Sequence, residues 1–164
     1  MEQLSAKKEG YLQTVGGTEA VESIQYIVIR LGKEQYGIDI RNVDNIVRMQ
    51  HITRVPKVPV YLKGVINLRG EVIPVMSIRL KMGLEEDVFT RATRIIILKL
   101  EQQGNVGIIV DEVKEVVTLE TTDIEKMSYN KKDDKANFIN GVGKHQGELI
   151  SLLELSAVTL EENA

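Results

Sequence analysis

One half of this chain is written over the other. The segment Tyr36-Gly37-Ile38-Asp39-Ile40-Arg41-Asn42-Val43-Asp44-Asn45-Ile46-Val47 aligns with Val106-Gly107-Ile108-Ile109-Val110-Asp111-Glu112-Val113-Lys114-Glu115-Val116-Val117, 70 residues further on. A second pairing sets Gly64-Val65 on Gly141-Val142 and Gly70-Glu71 on Gly147-Glu148, 77 residues apart, so the extra residues fall in the loop before the second hairpin. Each repeat is a unit of about 60 to 70 residues, too small to bury a generous fraction of its surface alone. Two such units therefore pack together and share an apolar interface. Closing each sheet on itself removes exposed edges, so two small antiparallel barrels are expected, with a single β-sandwich as the runner-up.

The local patterns are those of strands. Residues 24–31 are short, β-branched and bounded by Gly32, and Tyr36, Ile38 and Ile40 alternate with Gly37 and Asp39 as a hairpin partner. Residues 64–68 and 71–76 form a second hairpin across Arg69-Gly70. Residues 94–100 and 106–110 form a third around Gln103-Gly104-Asn105, and residues 138–153 a fourth across Gln146-Gly147. The spacing of Ile40, Val43 and Val47 predicts one or two helical turns after the second strand, and Leu152, Leu153, Leu155 and Val158 a short helix at the end. Pro56 and Pro59 break regular structure between them. The mixed charges of residues 125–135 predict a solvated loop, and residues 1–22 a flexible tail. The domain then runs over 23–158, with repeats of about 24–83 and 93–157 and a short tail of 159–164.

The repeat also sorts residues. Gly64 with Gly141 and Gly70 with Gly147 recur because the fold needs positive φ or close backbone approach there. Positions that differ are freer to serve function: Arg69 faces Gln146, Asn67 faces Lys144, and Pro74 faces Ser151.

Composition closes several routes. Hydrophobic residues make up 43%, enough for a core, and the net charge of −3 supplies no cationic field for phosphate backbones, so nucleic acid is a poor partner. Cysteine is absent, which removes disulfides, thiolate nucleophiles and Cys-type zinc sites. No apolar run approaches the roughly 18 residues of a membrane span, and the first residues lack a signal-peptide core, so a soluble, unexported chain with no direct membrane insertion is expected. The two histidines, His51 and His145, have no metal-ligand spacing. Asp111-Glu112 hints at a metal or a general base, against the plainer reading of a cap at a helix start. Residues 141–147 imitate a phosphate loop, but strand-like residues follow where a helix would have to begin. No catalytic set, cofactor site or metal site emerges, and such a β protein works through its surfaces.

Two segments make that inference specific. Tyr36-Gly37-Ile38-Asp39-Ile40, with Val43 and Ile46, resembles the first signature of the CheW family of chemotaxis coupling proteins. Residues 63–75, from Lys63-Gly64-Val65-Ile66-Asn67-Leu68-Arg69-Gly70 to Val75, resemble its strongest one, and the likeness spans about 22–158. The resemblance implies an all-β fold with short helices: two SH3-like five-stranded β-barrel subdomains around a shared hydrophobic core. It implies no enzymatic activity and no cofactor. The implied partners are the regulatory domain of the histidine kinase CheA, the cytoplasmic tip of methyl-accepting chemotaxis receptors, and other copies of the adaptor. The implied location is the cytoplasm, recruited to membrane receptor arrays.

Val43, Gly64 and Arg69 fall where the family places partner-sensitive positions. Asn45 departs from the Glu common there, and Ser77 from an Asp, so the ion pair expected for Arg69 needs another acid such as Asp44 or Glu71. In a groove between the barrels, Ile40, Val43 and Val65 are expected on the floor and Arg69 on the rim. The receptor-binding candidates are thus Ile40, Val43, Asn45, Gly64, Val65 and Arg69. Kinase docking is expected at Met49, His51 and Ile52. The alternatives are a CheW-like regulatory domain of a kinase or of a CheV-type protein and, from another class, a small-ligand-binding β-barrel.

Overall fold

The fold was described from a computed structural model, over residues 12–15, 19–101, 103–126 and 138–157. Its strands are β1 (Leu12–Val15), β2 (Glu19–Leu31), β3 (Glu34–Asp39), β4 (Val43–Arg48), β5 (Leu62–Leu68), β6 (Glu71–Ser77), β7 (Arg94–Leu100), β8 (Gly104–Val110), β9 (Glu112–Glu120), β10 (Ile124–Lys126), β11 (Ile139–His145) and β12 (Glu148–Leu153). One four-residue helix, α1 (Ile78–Lys81), follows β6, and Ser77 caps it by accepting from the Leu80 N–H at 3.2 Å.

The strands fall into two sheets. One runs β4-β7-β8-β6-β5; the other runs β1-β2-β3-β12-β11-β10, with β9 also on β2. Both ladders return toward themselves. In the second, β9 and β10 are joined by a three-residue 3-10 turn, Thr121–Asp123, so β9 on β2 and β10 on β11 are the ends of one bent strand. In the first, Thr53 follows β4 and bridges to Val65 of β5. These are the two SH3-like barrels, barrel 1 (β4–β8) and barrel 2 (β2, β3, β9–β12), rather than the single sandwich.

The sheets do not follow the sequence repeats. Hairpin β2–β3 belongs to the first repeat but joins β9–β12, and hairpin β7–β8 belongs to the second but joins β4–β6. The exchange is symmetric: β12 runs parallel to β3 with Leu152 opposite Gly37, and β6 runs parallel to β8 with Val75 opposite Gly107. Each repeat thus lends its first hairpin to the other's barrel.

The exchanged hairpins explain the long apolar runs. On β2, Tyr26 and Val28 point into barrel 2, while Ile27, Ile29 and Leu31 point into a central core. On β7, Ile95 and Ile97 point into barrel 1, while Ile96 and Leu98 join the centre. The centre also takes Tyr36, Ile38, Met76, Ile78, Ile108 and Val110 from both barrels. A strand buried on both faces must be apolar at every position, so alternation disappears.

Local expectations are refined at both ends of the domain and after β3. The helical turns expected from Ile40 amount to one 3-10 turn, Ile40–Asn42, and Val43 and Val47 lie beyond it on β4, whose burial alternates. A bulge between Val43 and Asn45 then shifts the pairing of β4 with β7. Strand pairing also reaches into the segment read as a tail, because β1 pairs with the start of β2, Leu12 opposite Glu22. At the other end the short helix is a 3-10 turn, Leu155–Ala157; Val158 and the tail of 159–164 lie outside the described residues. Of the expected loop, Glu125 and Lys126 belong to β10, and residues 127–137 lie outside the described residues.

Candidate docking surfaces

Barrel 1 is closed by a narrow seam. Thr53 and Val65 exchange two backbone hydrogen bonds, each 2.8 Å. The approach is possible because Gly64 has no side chain: a Cβ there would lie 2.1 Å from the Thr53 carbonyl oxygen and 2.9 Å from Ile52 Cγ2, and its φ is +144°. The recurrence of this glycine therefore reflects close backbone approach. Ile52 and Met49 pack against the barrel 1 core from the same side. The residues read as two separate sites, Gly64 and Val65 for one partner and Ile52 for another, meet at one seam.

Beside the seam lies an open groove of about 830 Å³, with residues 52–63 on one wall and Glu86 and Phe89 on the other. Its apolar groups face solvent: Val60 is 75% exposed and Phe89 52%. Arg54 and Lys57 stand at the groove, while Lys63 is engaged by Glu86 at 2.6 Å, which holds the Glu86 carboxyl below its ordinary value.

The wall carrying Phe89 is tethered. Arg79 donates to the Glu85 carbonyl at 3.3 Å, and the Ser77 hydroxyl donates to Asp87. Ser77 is fully buried, so the residue standing where the family often has Asp caps a helix and anchors this loop. Burial raises the Asp87 carboxyl above its ordinary value, against the Ser77 hydroxyl, its own backbone and Arg79, which pull the other way.

The remaining candidates are dispersed. Ile40 and Val43 pack half-buried against the central core. Asn45 is half-buried on β4, its Oδ1 accepting from the Ile46 N–H at 2.8 Å. His51 is exposed. Arg69 occupies the tip of the β5–β6 hairpin with φ +53° and is exposed. It stands four positions beyond Val65 along the hairpin, about 13 Å. Among the described residues Arg69 has no ion-pair partner. Asp44 does not replace the missing acid, and Glu71 accepts instead from Asn105 Nδ2 at 3.0 Å. The crevice between the barrels, about 570 Å³, is lined by Tyr26, Asp39, Asn42, Lys99 and Glu154 among others, not by Ile40, Val43, Val65 or Arg69.

Asp111 fits neither of its readings. No helix begins there, and its carboxylate is held by Arg79 Nε at 2.9 Å and by the Gly32 N–H at 2.8 Å. Burial opposes its charge, but Arg79, Gly32 and Arg30 outweigh it and lower the carboxyl below its ordinary value. Among the described residues no group of three or more His, Asp or Glu could hold a metal.

Sequence reading missed Val60 and Phe89. The signal was present: Val88-Phe89 is an apolar pair in an otherwise charged run, and Phe89 is one of only two phenylalanines.

Two packed barrels with an exposed apolar groove, and with Arg79 and Asp111 committed to each other, define a protein-docking module. Its relatives say which. Residues 25–162 match the CheW-like domain, and the chain belongs to that family. It is 34% identical to the chemotaxis protein CheW of Helicobacter pylori, over 84% of this chain and 82% of that one. It is 36% identical to the chemotaxis protein CheW of Bacillus subtilis, over 84% and 88%. The crystal structure of the scaffolding protein TtCheW from Thermoanaerobacter tengcongensis superposes with a TM-score of 0.74 at 32% identity, covering 80% of this chain and 89% of that one. The chain is accordingly a chemotaxis signalling adaptor of the scaffold type.

Proposed function

We propose that this protein is a non-enzymatic adaptor that binds the regulatory domain of the kinase CheA and the cytoplasmic tip of methyl-accepting chemotaxis receptors, so that receptor state reaches the kinase. The observation that carries this reading is the barrel 1 groove, where Val60 and Phe89 stay in solvent beside a seam built for close backbone contact. Exposed side chains of this size, lining the two walls of one open groove, suit a protein partner better than a small molecule.

Kinase docking is assigned to the seam, where Val60 and Phe89 join Met49, His51 and Ile52. Gly64 and Val65 support the same surface from beneath. Receptor contact is assigned to Ile40, Val43 and Asn45, with Arg69 as a separate polar contact at the hairpin tip. Other copies of the adaptor would compete for the same surfaces. No helix of the described residues is long and apolar enough to cross a membrane. On this reading the cytoplasmic chain reaches receptor arrays through its partners.

The test compares Val60→Asp, Phe89→Asp and Arg69→Glu in titrations with the kinase regulatory domain and with a receptor-tip peptide, each alone. The groove variants should weaken kinase binding at least tenfold, and Arg69→Glu should weaken receptor binding. All three should melt within about 0.5 kcal/mol of wild type, as exposed positions do. Unchanged kinase binding by both groove variants removes the assignment of that surface.

A further inference from the structure

The chain passes between the barrels at two places that the repeat makes equivalent: Ile40–Asn42, between β3 and β4, and Asp111, between β8 and β9. They are held very differently. At the second, the Asp111 N–H donates to the Arg30 carbonyl at 3.1 Å, and its Oδ2 accepts from the Gly32 N–H. Arg79 grips both carboxylate oxygens from α1. Arg30 and Gly32 belong to barrel 2, whereas Arg79 follows β6 of barrel 1, so one carboxylate ties both bodies at their junction. The Arg79 and Asp111 side chains are only 16% and 14% exposed.

At the first crossing the counterpart of Asp111 is Arg41. Its partner, Asp39, lies two residues away in the same segment, and the Arg41 side chain is 57% exposed. That pair joins nothing across the junction. The inter-barrel crevice opens beside it, with Asp39 and Asn42 facing Lys99 and Glu101 of barrel 1 and Asn140 and Glu154 of barrel 2. A buried charged pair thus fastens the Asp111 side of the junction, and the charged pair at the other crossing is local to its own segment.

Close packing of the central core holds the barrels together, and the forked guanidinium–carboxylate contact adds a directional restraint at the junction. We infer that Arg79 and Asp111 are a positioning pair that sets the angle between the barrels. Through that angle the pair couples docking on one barrel to docking on the other. The coupling rests on the two-partner reading above; the angle does not.

The absence of cysteine allows two labels to be placed cleanly. Spin labels on Gln50→Cys in barrel 1 and Thr118→Cys in barrel 2, both exposed positions, report the barrel-to-barrel distance in the full chain. Asp111→Asn and Arg79→Gln should widen the distance distribution at least twofold, and Arg79→Lys, which keeps charge but loses the fork, should fall between. Ile108→Val in the central core controls for destabilisation and should leave the width unchanged. In assays with the kinase domain and receptor tip, Asp111→Asn should bind each partner within twofold of wild type while receptor control of the kinase falls at least fivefold. An unchanged width in the three pair variants, or equal widening by Ile108→Val, overturns the inference. If wild type binds neither partner, the docking reading fails while the distances still decide the role of the pair.

Discussion

At Gly64 a missing methyl group keeps barrel 1 shut. A Cβ would lie 2.1 Å from the Thr53 carbonyl oxygen, a backbone atom that cannot swing aside. Gly64→Ala should therefore cost at least about 2 kcal/mol, read from the denaturant midpoint, because both the contact and the positive φ are violated. A loss under about 0.5 kcal/mol would mean that the seam is not tight. Asp87 makes a prediction in pH. Its folded carboxyl is raised above the ordinary 3.8. Between those values the folded state keeps a proton that the unfolded chain has released, so this group's contribution to stability falls as pH rises through the window. Asp87→Asn keeps an acceptor for Ser77 and removes that ionisation. Relative to wild type it should gain stability between pH 3 and pH 7 in paired urea titrations. A difference that does not change with pH would contradict this. Asp111 itself was visible in the sequence, but its role was not, because its main partner lies 32 residues away and belongs to another element.

At the scale of elements, strands and turns were legible and their neighbours were not. Arg69-Gly70 and Gln146-Gly147 are the expected tight turns, with φ values of +53° and +84°, and +50° and +81°. The turn expected after Ile40 is present but ends after three residues, because β4 begins at Val43. The strands buried on both faces carry the heaviest load. On β8, Ile108 faces the central core and Ile109 the barrel 1 core, and both are fully buried. Ile108→Ala and Ile109→Ala should each cost about 3 kcal/mol in chemical denaturation, despite removing groups from opposite faces. An amphipathic strand would instead tolerate one of the two. The repeat extends to small clasps: Glu71 accepts from Asn105 on one side of the molecule, and Glu148 from Gln35 on the other at 2.8 Å.

For the whole molecule, the duplication revealed two similar bodies but not the exchange of hairpins between them. Periodicity reports which face of a strand is apolar, and a strand apolar on both faces does not say which sheet it joins. The exchange makes each barrel depend on both repeats. The groove at barrel 1 escaped notice for a related reason: its two walls, residues 52–63 and the loop carrying Phe89, are distant in the chain and meet only when β5 and β6 close. The most direct test of adaptor function is size-exclusion chromatography of the full chain with the kinase regulatory domain and a receptor-tip peptide, separately and together. Each partner should co-elute alone, and the three-component mixture should give one larger species containing all of them. Displacement of one partner by the other, or failure of both to co-elute, would contradict the account.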